Sequence, residues 1–167
     1  MQAHALAIEL LCAMDQALGR AKAMELAKGA FARYMIAYYS DVLQQAPART
    51  QSRFDAFRTH YEGYAHERDY VDIVLSNATT LGVRFRRCPF HELLMHRGIG
   101  YFIAGFCQAD AAFTAACLPG VHFARSHEIA VDGEPCDHTW RFDLRNRLGH
   151  PTAPRASNAS ETMKESN

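Results

Sequence analysis

No uninterrupted apolar run in the 167 residues approaches the roughly 20 that a membrane-spanning helix needs. There is no excess of either charge: 18 basic side chains balance 18 acidic ones, so no global field draws the chain to nucleic acid or to an anionic membrane. Glycine and proline are sparse, at 10 and 6 residues, which excludes collagen-like and low-complexity classes. The five cysteines (Cys12, Cys88, Cys107, Cys117 and Cys136) are odd in number and irregularly spaced, unlike a secreted disulfide framework. Residues 1–15 have no basic leader, and Glu9 interrupts their apolar stretch. The expectation is a cytoplasmic chain with reduced thiols. The sequence contains no G-x-G-x-x-G, P-loop, G-x-S-x-G or zincin helix, so nucleotide cofactors and a serine triad have no support.

What is present reads as one domain over residues 1–147. Apolar positions recur at helical spacing from residue 5 to about 43: Leu6, Leu10, Met14 and Leu18, then Met24, Phe31, Met35, Tyr38 and Val42. Gly19 and Gly29 leave open whether this is two helices or one bent helix. A further helix is expected over 53–66, with Phe54, Phe57, Tyr61 and Tyr64 on a stripe that reads as core more readily than as a pocket lining. Residues 70–75 and 81–88 are short and β-branched, and predict paired antiparallel strands closed by Pro89. A short helix follows, then a stronger one over 99–117, stopped by Pro119-Gly120. Residues 121–131 and 136–142 alternate as a hairpin around Asp132-Gly133-Glu134. The order predicts an α+β fold: a helical N-terminal region packed on an antiparallel sheet, with one long central helix. Residues 148–167 lack an apolar pattern and are expected to form a disordered tail.

Two segments hold polar residues in apolar company. On the 99–117 helix, Ile99, Ile103, Phe106, Asp110, Phe113 and Cys117 trace one stripe, so Asp110 interrupts a seam that faces the core. A carboxylate there must be paired, hydrogen-bonded or protonated. Cys107 lies one turn earlier on nearly the same side. A purely structural Asp tied to an Arg, beside an inert buried thiol, explains these residues equally well. In the hairpin, inward Phe123, Ile129 and Val131 would bring Arg125 and His127 to the same face. Cys136, His138, Trp140 and Phe142 then share one face of the return strand, with Asp137 and Arg141 on the other. An inward Arg125 is a natural counter-ion for Asp110 or a fork for a substrate carboxylate, unless a bulge turns it outward. Cys88, Cys107 and Cys136, with Asp110, His127 or His138, have ligand chemistry that suits zinc. Without a C-x-x-C or an H-x-x-x-H spacing, the expectation is no resident metal, with zinc kept as the alternative.

These residues also carry a resemblance. Arg87-Cys88-Pro89, Cys107-Gln-Ala-Asp110-Ala-Ala-Phe113, Arg125 and Gly133-Glu-Pro-Cys136-Asp137-His-Thr-Trp140-Arg-Phe142 resemble the L-2-amino-thiazoline-4-carboxylic acid hydrolase family over residues 71–142. The Cys-x-x-Asp and Gly-x-x-Cys-Asp segments are its most specific parts. The resemblance implies a small cytosolic bacterial hydrolase that opens a thiazoline ring to N-carbamoyl-L-cysteine. His138 stands where the family commonly has an aromatic residue. The Cys-rich hairpin is also similar to the vinyl-reductase type of ligand-binding domain, which binds small molecules without turning them over.

The expected activity is therefore hydrolysis of a carbon–nitrogen bond in a small cyclic amidine or thiazoline, with a non-catalytic binding domain as the alternative. Absence of room for an effector module favours the enzyme. Cys107, Asp110 and Cys136 are the catalytic candidates: a thiolate attacks while Asp110 positions or protonates. Arg125, Cys88, His127, Asp137 and His138 are the substrate-binding candidates. The expected partner is a carboxylate-bearing small molecule, not nucleic acid or membrane, and self-association to a homo-oligomer stays open.

Overall fold

Gly19 decides how the N-terminal helical pattern divides. Its φ of 76° is a conformation that side-chain-bearing residues rarely adopt, so the pattern breaks there into α1 (Gln2–Leu18) and α2 (Arg20–Leu43). Gly29 does not break α2. A computed structural model describes residues 2–47 and 49–143; the expected tail at 148–167 lies outside them. The remaining elements are α3 (Thr50–His66), β1 (Val71–Ser76), β2 (Thr80–Phe85), α4 (Pro89–His96), α5 (Ile103–Cys117), β3 (Val121–Arg125) and β4 (Cys136–Phe142). A single 3-10 turn at Gly100–Phe102 leads into α5, so the long helix starts later than residue 99. Among the described residues no helix is long and apolar enough to cross a membrane. The architecture is the expected α+β.

All four strands form one antiparallel sheet in the order β1-β2-β4-β3. Asn77 turns β1 into β2, its Oδ1 accepting the backbone N–H groups of Thr79 and Thr80 at 2.9 Å each. The register sets Val83 and Arg125 on either side of His138, and Leu81 and Phe123 on either side of Trp140. One sheet face thus gathers Leu81, Val83, Trp140 and Phe142 against helices α2, α3 and α5, where Phe54, Phe57, Tyr61 and Phe113 complete an aromatic core. The stripe on α3 is core, as its spacing predicts. A second cluster joins Ile8 and Leu11 of α1, Ala23 and Ala27 of α2, Leu94 of α4, and Ile99, Phe102 and Ile103. Here α5 approaches α2 closely: a Cβ on Gly105 would lie 3.1 Å from Lys28 Cγ and 3.5 Å from its backbone.

Three expectations change. The α1 residues that bury are Ile8 and Leu11, while Leu6, Leu10 and Leu18 face outward. The helix packs along a face rotated from the most regular leucine spacing, the face that α2, α4 and the Ile99–Ile103 segment cover. Next, β2 ends at Phe85 rather than 88. Cys88 instead caps α4, its Sγ accepting the His91 N–H at 3.4 Å with Pro89 in the first turn. Last, the strand expected over 121–131 stops at Arg125, and residues 126–135 form a loop. The cause is Asp137, whose Oδ1 accepts the N–H groups of Ser126 at 2.8 Å and His127 at 2.6 Å. With both N–H groups committed to this side chain, the backbone turns away from the ladder.

Candidate active site

Asp110 lies on α5 where the two core clusters meet, with Ile103 in one and Phe113 in the other. Its backbone position is fixed from the sheet: Trp140 Nε1 donates to Thr114 Oγ1 at 3.0 Å, and Thr114 Oγ1 donates to the Asp110 carbonyl at 2.7 Å. The residue is buried, at 6% exposure overall. The sequence stripe therefore located a true core position.

Arg125 ends β3 and points to the same interior, as the strand alternation requires. Its Nη1 lies 3.3 Å from Asp110 Oδ2 and donates to the Cys107 carbonyl at 3.2 Å. Its Nη2 meets Glu128 Oε1 at 2.5 Å. One guanidinium thus serves two carboxylates in a nearly closed space, where Arg125 and Asp110 side chains are only 11% and 9% exposed. Burial dominates: it raises the Asp110 carboxyl from 3.8 to about 7, against the lowering pull of Arg125 and with a further push from Glu128. His138 lies on the adjacent strand with Nδ1 at 3.9 Å from Asp110 Oδ2, too long for a hydrogen bond. Burial, then Arg125, lower its pKa to about 3, so the imidazole is neutral at physiological pH. Both His138 Nδ1 and Arg125 Nε are buried without a hydrogen-bond partner.

Two of the thiols lie within electrostatic range of this pair, and a third within range of one of those two. Cys107 and Cys136 both sense Arg125, Asp110 and Glu128, and Cys88 senses Cys136. Burial pushes Cys107 up to about 12 and raises Cys136 and Cys88 as well. This is the reverse of the lowered pKa that an activated thiolate shows. Cys136 Sγ also accepts the Ile129 N–H at 3.3 Å. Cys117 is remote from the group: it sits in the aromatic core, its thiol 3.6 Å from the Ile36 carbonyl.

Two of the expected binding residues do not join the cluster. His127 is exposed on the 126–135 loop, where its Nδ1 meets Asp132 Oδ2 at 3.1 Å. Asp137 points to the opposite face of β4. Burial alone would raise its pKa; the Ser126 hydroxyl and the His127 and Ser126 N–H groups lower it to about 2. Its partners make it an anchor for the loop. His127 and Asp137 line a surface groove of about 250 Å³ with Arg84, Glu134 and Pro135. A second groove, about 320 Å³, runs between the loop and the α4–α5 region and is lined by Glu128, Ala130, Met95 and Tyr101 among others. Neither groove is lined by Asp110, Cys107 or Cys136.

Glu128 is the residue that strand alternation missed. On a continuous strand it would face away from Arg125; on a loop that turns after Arg125 it folds back onto the guanidinium. The signal in the sequence is Asp137, whose capping ability ends the strand.

Among the described residues, no three His, Cys, Asp or Glu side chains are grouped so as to hold a metal ion. No curated protein and no solved structure matches the chain. A family model does, and it extends the similarity well beyond the motif-bearing second half into the N-terminal helices. Since the model described as L-2-amino-thiazoline-4-carboxylic acid hydrolase matches residues 1–140, the chain belongs to that hydrolase family.

Proposed function

We propose that the chain hydrolyses a small cyclic amidine of the thiazoline type that carries a carboxylate, with Arg125 as the anchor and Asp110 as the acid–base group. The observation that carries this reading is the buried Asp110–Arg125 pair beside a neutral imidazole. A carboxyl with a pKa near 7 exchanges its proton readily at the pH of the reaction. A buried guanidinium with a spare donor matches the planar carboxylate of the substrate.

Asp110, in its ionised form, takes a proton as water adds to the amidine carbon. The tetrahedral intermediate collapses with cleavage of the carbon–sulfur bond, and the electron pair leaves on sulfur. Of the two water protons, one ends on the ring nitrogen and one on sulfur, carried there by Asp110. The proposed product is N-carbamoyl-L-cysteine, which the family resemblance implies; forming it breaks the carbon–sulfur bond of the ring rather than the carbon–nitrogen bond expected from the sequence. Cleavage at carbon–nitrogen would instead leave an S-carbamoyl thiol ester. Direct attack by Cys107 or Cys136 is the second reading, favoured by their position next to Asp110 and disfavoured by their raised pKa values. The scheme draws on no metal or cofactor.

The test is turnover of L-2-amino-thiazoline-4-carboxylate followed by release of free thiol, with intact-mass analysis during a single turnover. Free thiol and an unmodified protein mass are expected. A covalent adduct on Cys107 or Cys136 would replace water attack by the thiol route. Saturable binding with no product would instead make the chain a binding domain.

A further inference from the structure

We propose that Glu128 sets substrate specificity by occupying Arg125 in the unliganded protein, so that the 126–135 loop closes the site until a ligand carboxylate takes its place. This rests on the reading that Arg125 anchors a substrate carboxylate.

Three observations carry it. The loop lies directly over the site. Glu128 Oε1 meets Arg125 Nη2 at 2.5 Å, the Ile129 N–H reaches Cys136 Sγ at 3.3 Å, and Ala130 packs against the same core cluster as Cys107. Next, the loop is internally braced and so can move as a unit. The Val131 and Asp132 N–H groups donate to the Glu128 carbonyl at 2.8 and 3.0 Å, and Asp132 Oδ1 accepts the Glu134 N–H at 2.9 Å. Last, the interior beneath it holds polar atoms that this closed arrangement does not use. Arg125 Nε and His138 Nδ1 are buried without hydrogen-bond partners, so a ligand can satisfy groups that Glu128 leaves unpaired.

The charges explain why the exchange selects carboxylates. Arg125 carries the positive charge, Glu128 and Asp110 share it, and His138 is neutral beside them. Replacing the Glu128 carboxylate by a ligand carboxylate leaves the charge around Arg125 unchanged, and Glu128 moves toward the solvent-facing groove that it already lines. A neutral ligand of the same shape would leave Arg125 Nη2 without the carboxylate that it holds in the closed state. Specificity then arises from competition as much as from new contacts.

The experiment compares wild type, Glu128→Gln, Glu128→Ala and Arg125→Met. Peptide-resolved alkylation by iodoacetamide reads closure, and calorimetry with L-thiazolidine-4-carboxylate and its carboxamide reads the anchor. In both Glu128 variants, alkylation of Cys107 and Cys136 should accelerate at least about tenfold while Cys117 is unchanged, and the carboxylate should bind more tightly than to wild type. Circular dichroism checks that each variant is folded; the two Glu128 variants change a partly exposed side chain, so either suffices. Alkylation and affinity equal to wild type in both Glu128 variants would overturn the gate and leave the anchor intact. Faster alkylation in the Glu128 variants, together with wild-type carboxylate affinity in Arg125→Met, would retain closure by Glu128 but remove Arg125 as the anchor and with it the exchange.

Discussion

Asp110 and His138 hold opposite proton anomalies in one site, and their effects on stability should cancel until one is removed. Asp110 is raised from 3.8 to about 7 on folding. Between those values the folded chain binds more protons than the unfolded chain, so this contribution is complete below pH 3.8 and is lost as pH rises toward 7. His138 is lowered from 6.5 to about 3. Between those values the unfolded chain binds more protons, so stability is complete above pH 6.5 and is lost as pH falls toward 3. Each group changes stability by about 1.4 kcal/mol per pH unit, on the order of 4 kcal/mol across its range, and the signs are opposite. Urea unfolding of wild type from pH 4 to pH 8 should therefore show little slope from this pair below pH 6.5. Asp110→Asn keeps the shape and removes the carboxyl, so the variant should lose stability as pH falls. His138→Phe removes the imidazole, so that variant should lose stability as pH rises toward 7. Parallel pH profiles for all three proteins would refute the assignment of both protonation states.

Other outcomes follow from the same contacts. Arg125→Met leaves two carboxylates without their cation and should cost about 3–5 kcal/mol in urea unfolding at pH 8; a cost under about 1 kcal/mol would mean the pair is not buried in solution. Trp140→Phe removes the Nε1 bond to Thr114 and part of the ring from the aromatic core. It should lower stability by about 2 kcal/mol on thermal melting, and an unchanged Tm would contradict the tie from β4 to α5. Elemental analysis of purified protein should find far less than one zinc per chain, and stoichiometric zinc would reopen the thiols as ligands. Asp137→Ala should speed hydrogen exchange at the Ser126 and His127 amides at least about tenfold, since its carboxylate holds both; unchanged exchange would show that the loop is held from elsewhere.

Much of the buried site was legible because it breaks a rule of periodicity. Asp110 stands out on α5 because a 3.6-residue repeat leaves no polar position on that stripe, and Arg125 follows from the alternation of β3. The facing residues Cys136, His138 and Trp140 come from the same alternation on β4. The helices of the N-terminal half were visible but not their buried faces: α1 is covered by neighbours whose placement no local pattern encodes, so Leu6 and Leu10 read as core and are not. The loop after Arg125 was hidden for a different reason. Residues 126–131 keep strand-like alternation, and it is a side chain ten residues later, Asp137, that withdraws their hydrogen bonds. Glu128 and His127 changed places relative to the site as a result. The thiol pKa values belong to tertiary burial, which a spacing argument cannot read.

The central claim is that Asp110, not a thiolate, exchanges the catalytic proton, and the pH dependence of kcat/KM on L-2-amino-thiazoline-4-carboxylate tests it most directly. This parameter reports groups of the free protein. Wild type should rise through an inflection near pH 7, where Asp110 ionises. Asp110→Asn should fall by roughly 10²–10⁴-fold and lose the inflection, while Cys107→Ser and Cys136→Ser keep it. An inflection in the thiol range above pH 8 that disappears in one cysteine variant, with Asp110→Asn still active, would contradict the account.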